Sequence, residues 1–178
     1  GDVDILGSAR GYDEYVTWWE NDGNESFTEH TITSSLKRIS SAYAIDVDGD
    51  GDIDILEAAY YDDKIAWLES DGTPGDGGWS RHIIATGFDD ASFVYGMDMD
   101  GDGDVDVLGA AKEDAEITWW ENDGSESFTE HTIGTGLGGA NSVYATDVDN
   151  DGDVDVLGAA GNNIIWWEND GSESFTKH

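Results

Sequence analysis

Aspartate recurs in this chain at the spacing of a ligand set. Asp46-Val47-Asp48-Gly49-Asp50-Gly51-Asp52-Ile53-Asp54 returns as Asp98-Met99-Asp100-Gly101-Asp102-Gly103-Asp104-Val105-Asp106. It returns again as Asp147-Val148-Asp149-Asn150-Asp151-Gly152-Asp153-Val154-Asp155. Acids at positions 1, 3, 5 and 9 of a nine-residue loop can fold their carboxylates around one point, with a sharp turn at the glycine of position 6. Calcium is a hard cation that takes 6–8 oxygen ligands, which suits such a set. The expected side-chain ligands are Asp46, Asp48, Asp50 and Asp54, then Asp98, Asp100, Asp102 and Asp106, then Asp147, Asp149, Asp151 and Asp155. Asp52, Asp104 and Asp153, at position 7, complete the metal-site residues. There the backbone carbonyl is the usual ligand, and the side chain is expected to face solvent or the outer shell.

Other ions fit less well. Magnesium prefers few carboxylates and several retained waters. Transition metals favour His or Cys, and neither lies in the loops. An EF-hand needs a bidentate Glu at position 12 between helices. Position 12 is Glu57, Gly109 and Gly158, and the residues after each loop alternate as a strand does. One Asp-rich turn could be a merely solvated one; three copies with the same spacing and the same glycine argue against that. Without metal, five Asp within nine residues repel one another and oppose the folded state. Three calcium ions would add +6 and move the formal charge from −34 to −28.

The elements that must position these loops follow from the repeats. Successive loops are offset by 52 and 49 residues. Trp-Trp-Glu-Asn-Asp-Gly occurs at 18–23, 119–124 and 166–171, with Trp67-Leu68-Glu69-Ser70-Asp71-Gly72 as its variant. A histidine follows each copy (His30, His82, His131, His178), and Tyr43, Tyr95 and Tyr144 precede the complete loops. Within the last repeat, 142–147, 153–160 and 163–168 read as strands, Asn169-Asp170-Gly171 as a turn, and 174–178 as the start of a fourth strand. Nothing reads as an amphipathic helix, and the single proline, Pro74, sits in the longest turn, 70–78.

Four short strands per repeat predict an all-β chain, a β-propeller built of four-stranded antiparallel blades. About four blades are expected: 1–39 (partial), 40–89, 90–138 and 139–178. The first lacks its inner strand, because Gly1, Asp2 and Asp4 match only the second half of a loop. The chain is expected to be either a piece of a longer propeller or a unit whose open blade edges pair with further copies in a ring or filament.

Composition narrows the partners. The chain has 41 acidic residues against 7 basic ones. Nucleic acid is therefore not expected, since phosphate binding needs Lys and Arg. No apolar run reaches membrane length, and no signal peptide is present, so an export signal would lie outside these residues or have been removed. There are no cysteines. Removing the 15 loop aspartates leaves 26 acids against 7 bases, a composition that suits a high-salt habitat or an exported surface.

The Asp loop followed by Val107-Leu108-Gly109-Ala110-Ala111 or Val156-Leu157-Gly158-Ala159-Ala160 resembles the FG-GAP (VCBS-type) repeat of integrin α-subunit propellers. That resemblance implies a calcium loop between the first two strands of a blade, an inner strand lining a central axis, and extracellular adhesion or ligand binding. The family's Phe-Gly opening is absent; Ala42-Tyr43, Val94-Tyr95 and Val143-Tyr144 stand there. Its Gly-Ala-Pro ending is Gly-Ala-Ala, or Glu57-Ala58-Ala59 once. Integrin ligand recognition therefore does not carry over.

The expected function is a non-enzymatic, calcium-binding module of an exported or cell-surface protein, serving adhesion, ligand binding or assembly. Its partner would be a protein or a glycan. A lectin-like carbohydrate-binding propeller and an accessory domain of a polysaccharide-degrading enzyme are the alternatives. Adjacent strand residues face opposite sides, so the Trp pairs read as core between blades. Trp79, outside their register in a Gly-rich turn, reads as the better exposed contact. The histidines, one per repeat, read as structural residues bonding a neighbouring turn. Asn24-Glu25-Ser26 fits a glycosylation acceptor, a weak signal on its own.

Overall fold

The computed structural model describes residues 3–8, 15–33, 35–73 and 77–178. Gly1, Asp2 and Pro74 lie outside them. Every regular element is a strand, and all pairings are antiparallel between chain neighbours. The first sheet holds β1 (Ile5–Ser8), β2 (Tyr15–Asn21) and β3 (Phe27–Thr33). The second holds β4 (Ile39–Ile45), β5 (Asp54–Ala59), β6 (Lys64–Ser70) and β7 (Trp79–Thr86). The third holds β8 (Ala91–Met97), β9 (Asp106–Ala111), β10 (Glu116–Asn122) and β11 (Phe128–Gly134). The fourth holds β12 (Ala140–Thr146), β13 (Asp155–Ala160), β14 (Asn163–Asn169) and β15 (Phe175–Lys177). This is an all-β propeller of about four blades, not closed into a ring. Its first sheet has three strands among the described residues.

Each strand's burial follows from its place in the blade. β5 and β9 are buried at every position, because both faces of a second strand are covered by neighbouring blades. Such strands read as continuous small and apolar runs, Asp-Ile-Leu-Glu-Ala-Ala and Asp-Val-Leu-Gly-Ala-Ala. The outermost strands are wetter; β11 has only exposed and half-buried residues. β13 begins at Asp155 rather than 153, since Asp153 remains in the loop. Neighbouring blades pack β4 on β8 and β8 on β12 through their first strands, while β1, the counterpart of a second strand, packs on β4.

Two devices fix the spacing between blades. The first is a bulge near the start of each first strand, where the ladder register shifts between Ile39 and Ser41 and between Ala91 and Phe93. The skipped serines reach across. Ser92 Oγ lies 2.8 Å from Ala110 O in its own blade and 2.9 Å from Ala140 O in the next. Ser40 Oγ does the same with Ala58 O (3.0 Å) and Ala91 O (2.6 Å). The second is a line of tyrosines on the first strands. Tyr43 and Tyr95 lie 4.8 Å apart, and Tyr95 and Tyr144 5.1 Å.

The tryptophan pairs pack as alternation demands. Trp119 faces the fourth sheet with Val143, Ile165 and Trp167, while Trp120 faces the second with Leu56 and Trp67. Both are at most 2 % exposed. Trp18, Trp19 and Trp166 are half-buried. The second tryptophan of each pair lies over the glycine of the neighbouring strand. A Cβ on Gly109 would come 2.7 Å from Trp120 and 2.9 Å from Phe88; one on Gly158 would come 2.8 Å from Trp167. The second blade departs from both at once. Glu57 replaces the glycine and Leu68 the tryptophan, and the smaller side chain makes room. Glu57 is fully buried, its carboxylate 3.7 Å from the Arg81 guanidinium.

Trp79 stands in the repeat register rather than outside it, half-buried and lining a cleft. It pairs with Ser70 as Phe128 pairs with Asn122, Phe175 with Asn169 and Phe27 with Asn21. It is the repeat's aromatic residue in its ordinary place, packed against the core between the first two blades. The long turn before it hid the register.

The glycine–tryptophan contact is testable. Gly109→Ala should destabilise the chain by ~1–3 kcal/mol through overpacking. Trp120→Leu in the same chain should recover part of that loss, so a double-mutant cycle in denaturant unfolding should give a favourable coupling. Strict additivity would refute the contact.

Candidate metal centres

The three Asp loops join the first and second strands of the second, third and fourth blades, and they share one hydrogen-bond scheme. At position 1 one carboxylate oxygen accepts from the amide at position 4 and the other from the amide at position 6. For Asp46 these are Gly49 N at 2.8 Å and Gly51 N at 3.0 Å. For Asp98 they are Gly101 N at 2.7 Å and Gly103 N at 3.1 Å. For Asp147 they are Asn150 N at 2.6 Å and Gly152 N at 3.2 Å. Asp48, Asp100 and Asp149 each accept from the amide two residues on, as do Asp50, Asp102 and Asp151. A chain of left-handed residues makes this possible. Gly51, Gly103 and Gly152 stand at φ of 99, 100 and 102°, where a Cβ is costly.

Position 9 ties the loop to the blade. Asp106 accepts from Met99 N and from Asn122 N, both at 2.8 Å. Asp54 accepts from Val47 N (2.9 Å) and Ser70 N (2.8 Å), and Asp155 from Val148 N (3.0 Å) and Asn169 N (2.8 Å). All three carboxylates are at most 1 % exposed. In the first blade the exposed Asp4 takes the Asn21 amide at 2.8 Å, the counterpart of the third-strand half of this clamp. Its expected companion Asp2 is outside the described residues.

The loops gather their carboxylates in threes. Ligand oxygens lie within 4.8 Å of one another in Asp46/Asp48/Asp50, in Asp98/Asp100/Asp106 and in Asp147/Asp149/Asp155. Asp54, Asp102 and Asp151 are not among these groups of three. Asp52, Asp104 and Asp153 turn away. Their Oδ2 atoms lie where a Cβ on Gly72, Gly124 or Gly171 would be, at 2.7, 2.4 and 2.5 Å, so they press on the following Asp-Gly turn.

Crowding and burial disfavour the charges. Burial pushes the Asp106 carboxyl up to about 7, against the pull of its two amide donors. Burial also raises Asp54. Asp48 and Asp100 are raised by burial and further by the neighbouring loop aspartates. A divalent cation would oppose this by favouring the ionised forms.

Sequence reasoning missed the glutamate of the Trp-Trp-Glu unit. Glu121 bears on Asp100 and Glu69 on Asp48 through like charge. Each repeated histidine bonds this glutamate in the adjacent strand of its own blade rather than a neighbouring turn, which corrects the expectation. The Nε2 to Oε2 distances are 3.1 Å for His30–Glu20, 2.7 Å for His82–Glu69, 2.8 Å for His131–Glu121 and 2.6 Å for His178–Glu168. Each ring also stacks on the first tryptophan of the pair, at 4.4–4.6 Å. The signal was the common register of the Trp, Glu and His.

Comparisons agree with this architecture. No curated protein sequence matches the chain. Among solved structures, one that matches is a lectin of Agrocybe aegerita, described for specific recognition of non-reducing terminal N-acetylglucosamine. It is 19 % identical, with a TM-score of 0.61 over 97 % of this chain. The chain spans about half of that lectin's length, 47 %. At that identity the likeness concerns the fold alone. The family model described as FG-GAP-like repeat matches residues 1–57, 46–109 and 98–158, each match but the first beginning on an Asp loop. With its loops, blades and repeats in that register, the chain belongs to the FG-GAP-like repeat family.

Proposed function

We propose that the chain is a calcium-binding β-propeller module of an exported or cell-surface protein, serving adhesion, ligand binding or assembly and performing no catalysis itself. The observation that carries the reading is the convergence of three aspartate carboxylates within 4.8 Å in each of three loops. Backbone amides hold those carboxylates in place without neutralising them. Hard oxygen donors at this density suit calcium, and sites built this way in extracellular modules work at calcium levels of about 10⁻⁴–10⁻³ M. The ion would offset repulsion inside each loop and stiffen the link between the first and second strands. Its role is structural, so recognition lies elsewhere on the propeller.

Recognition would lie between the first two blades. A cleft of about 600 Å³ opens between the first two blades, walled by Leu6, Trp18, Ile32 and Trp79, with Asp4 and Asp52 at its rim. Indole faces beside carboxylates can stack on and hydrogen-bond a sugar. The likeness to a lectin of the same fold supports a glycan as the ligand.

Melting the chain in chelator and in millimolar calcium tests the metal. With three sites filled to tenfold excess over Kd, each contributes ~1.4 kcal/mol, and Tm should rise on the order of 10 °C. Equal Tm values would refute the reading. A glycan array with the calcium-loaded protein should show binding that Trp79→Ala abolishes; silence on every glycan would count against the sugar.

Proton linkage gives a third test. A carboxyl whose pKa rises on folding contributes most below its unfolded value, and that contribution is lost as pH rises through its folded value. For Asp106 the window runs from the ordinary 3.8 to about 7. The chelated protein should therefore melt at a lower temperature at about pH 8 than at about pH 5. Calcium should lessen that loss, and its uptake below neutrality should release protons, read from the buffer dependence of the calorimetric heat. A chelated protein that gains stability over this range would contradict the assignment.

A further inference from the structure

A second kind of metal site lies outside the Asp loops. Glu121 lies near the end of the third strand of the third blade, His131 stands diagonally from it on the fourth, and Glu173 comes from the last turn of the next blade. One ligand atom from each lies within 4.8 Å of the other two. All four blades have the His–Glu pair. Among the described residues, only this pair meets a third carboxylate or imidazole at that distance.

We infer that Glu121, His131 and Glu173 form a binding site for a borderline divalent cation of the zinc class, bridging the third and fourth blades. The donor set is the first argument. One imidazole with two carboxylates suits zinc, copper or nickel, whereas calcium takes an all-oxygen shell. Three protein ligands leave a fourth position for water, as in an open zinc site.

Geometry is the second argument. His131 Nε2 and Glu121 Oε2 are already 2.8 Å apart, and the imidazole is held by its stack on Trp119 at 4.6 Å. Ligands at zinc distances in a tetrahedron lie about 3.3 Å apart. The approach still needed falls to Glu173, an exposed side chain on a turn. Glu173 also lines a cleft of about 120 Å³ together with Asp100 and Asp153. The negative field of those aspartates favours a dication.

The consequence is an interblade staple that the other interfaces lack. None of its three residues belongs to an Asp loop, so the inference stands apart from the calcium reading. Zinc chloride titrated by calorimetry into protein saturated with calcium tests it. One zinc site is expected. Glu173→Gln should weaken it at least about tenfold, the scale on which even a supporting partner of a metal ligand acts. His131→Gln should do the same. His82→Gln, which removes the matching histidine of the second blade, should leave it unchanged. Glu173→Gln alters only an exposed turn, so its Tm in calcium should equal that of the parent. Absence of zinc binding with calcium bound would overturn the site. So would affinity indifferent to Glu173→Gln, or equal loss in His82→Gln.

Discussion

The second, third and fourth blades are each organised by one buried aspartate. Asp54, Asp106 and Asp155 sit at the first position of a second strand, shut off from water, and a lone buried carboxylate is costly. Two backbone amides compensate it, one from the loop behind and one from the end of the third strand. That double acceptance closes the Asp loop, sets where the third strand ends and places the following turn. In the first blade Asp4, an exposed residue, takes the corresponding Asn21 amide. The loop's remaining carboxylates can converge only because this one is anchored.

Packing between blades rests on a different economy of space. A second strand lies between two neighbours, so its side chains must be small where an indole crosses. Gly109 under Trp120 and Gly158 under Trp167 follow that rule. The second blade keeps the volume and changes the chemistry, with Leu68 over Glu57 and Arg81 reaching the buried carboxylate. An ion pair so enclosed adds little net stability, yet losing one partner would be severe. It therefore gives that blade a specific mate rather than a stronger core.

The loop face joins these themes to function. Carboxylates from the loops and from the Trp-Trp-Glu units share one rim of the propeller, on a chain with a formal charge of −34. The histidines sit among them, stacked on tryptophan and bonded to glutamate, so the rim presents nitrogen as well as oxygen donors. A cation-rich environment would stabilise such a surface, and different cations would choose different parts of it.

Much of this was legible in the sequence because the signals were local and repeated. A loop ligand set needs a few residues at fixed offsets, a turn needs its glycine, and a strand needs alternation. The three Asp loops, the strand order and the all-β blades followed from that. Three things depended on distance in space. Trp79 proved to be the ordinary aromatic of its repeat, since strand pairing and not turn length sets register. The histidines found glutamates on the adjacent strand, ten residues away in most blades, because antiparallel pairing brings together residues that spacing alone cannot match. Glu173 met Glu121 and His131 across a blade boundary. Sequence by itself determined what each blade is made of, through short-range stereochemistry; only the tertiary structure decided which side chains meet between blades, because that depends on how sheets twist and stack.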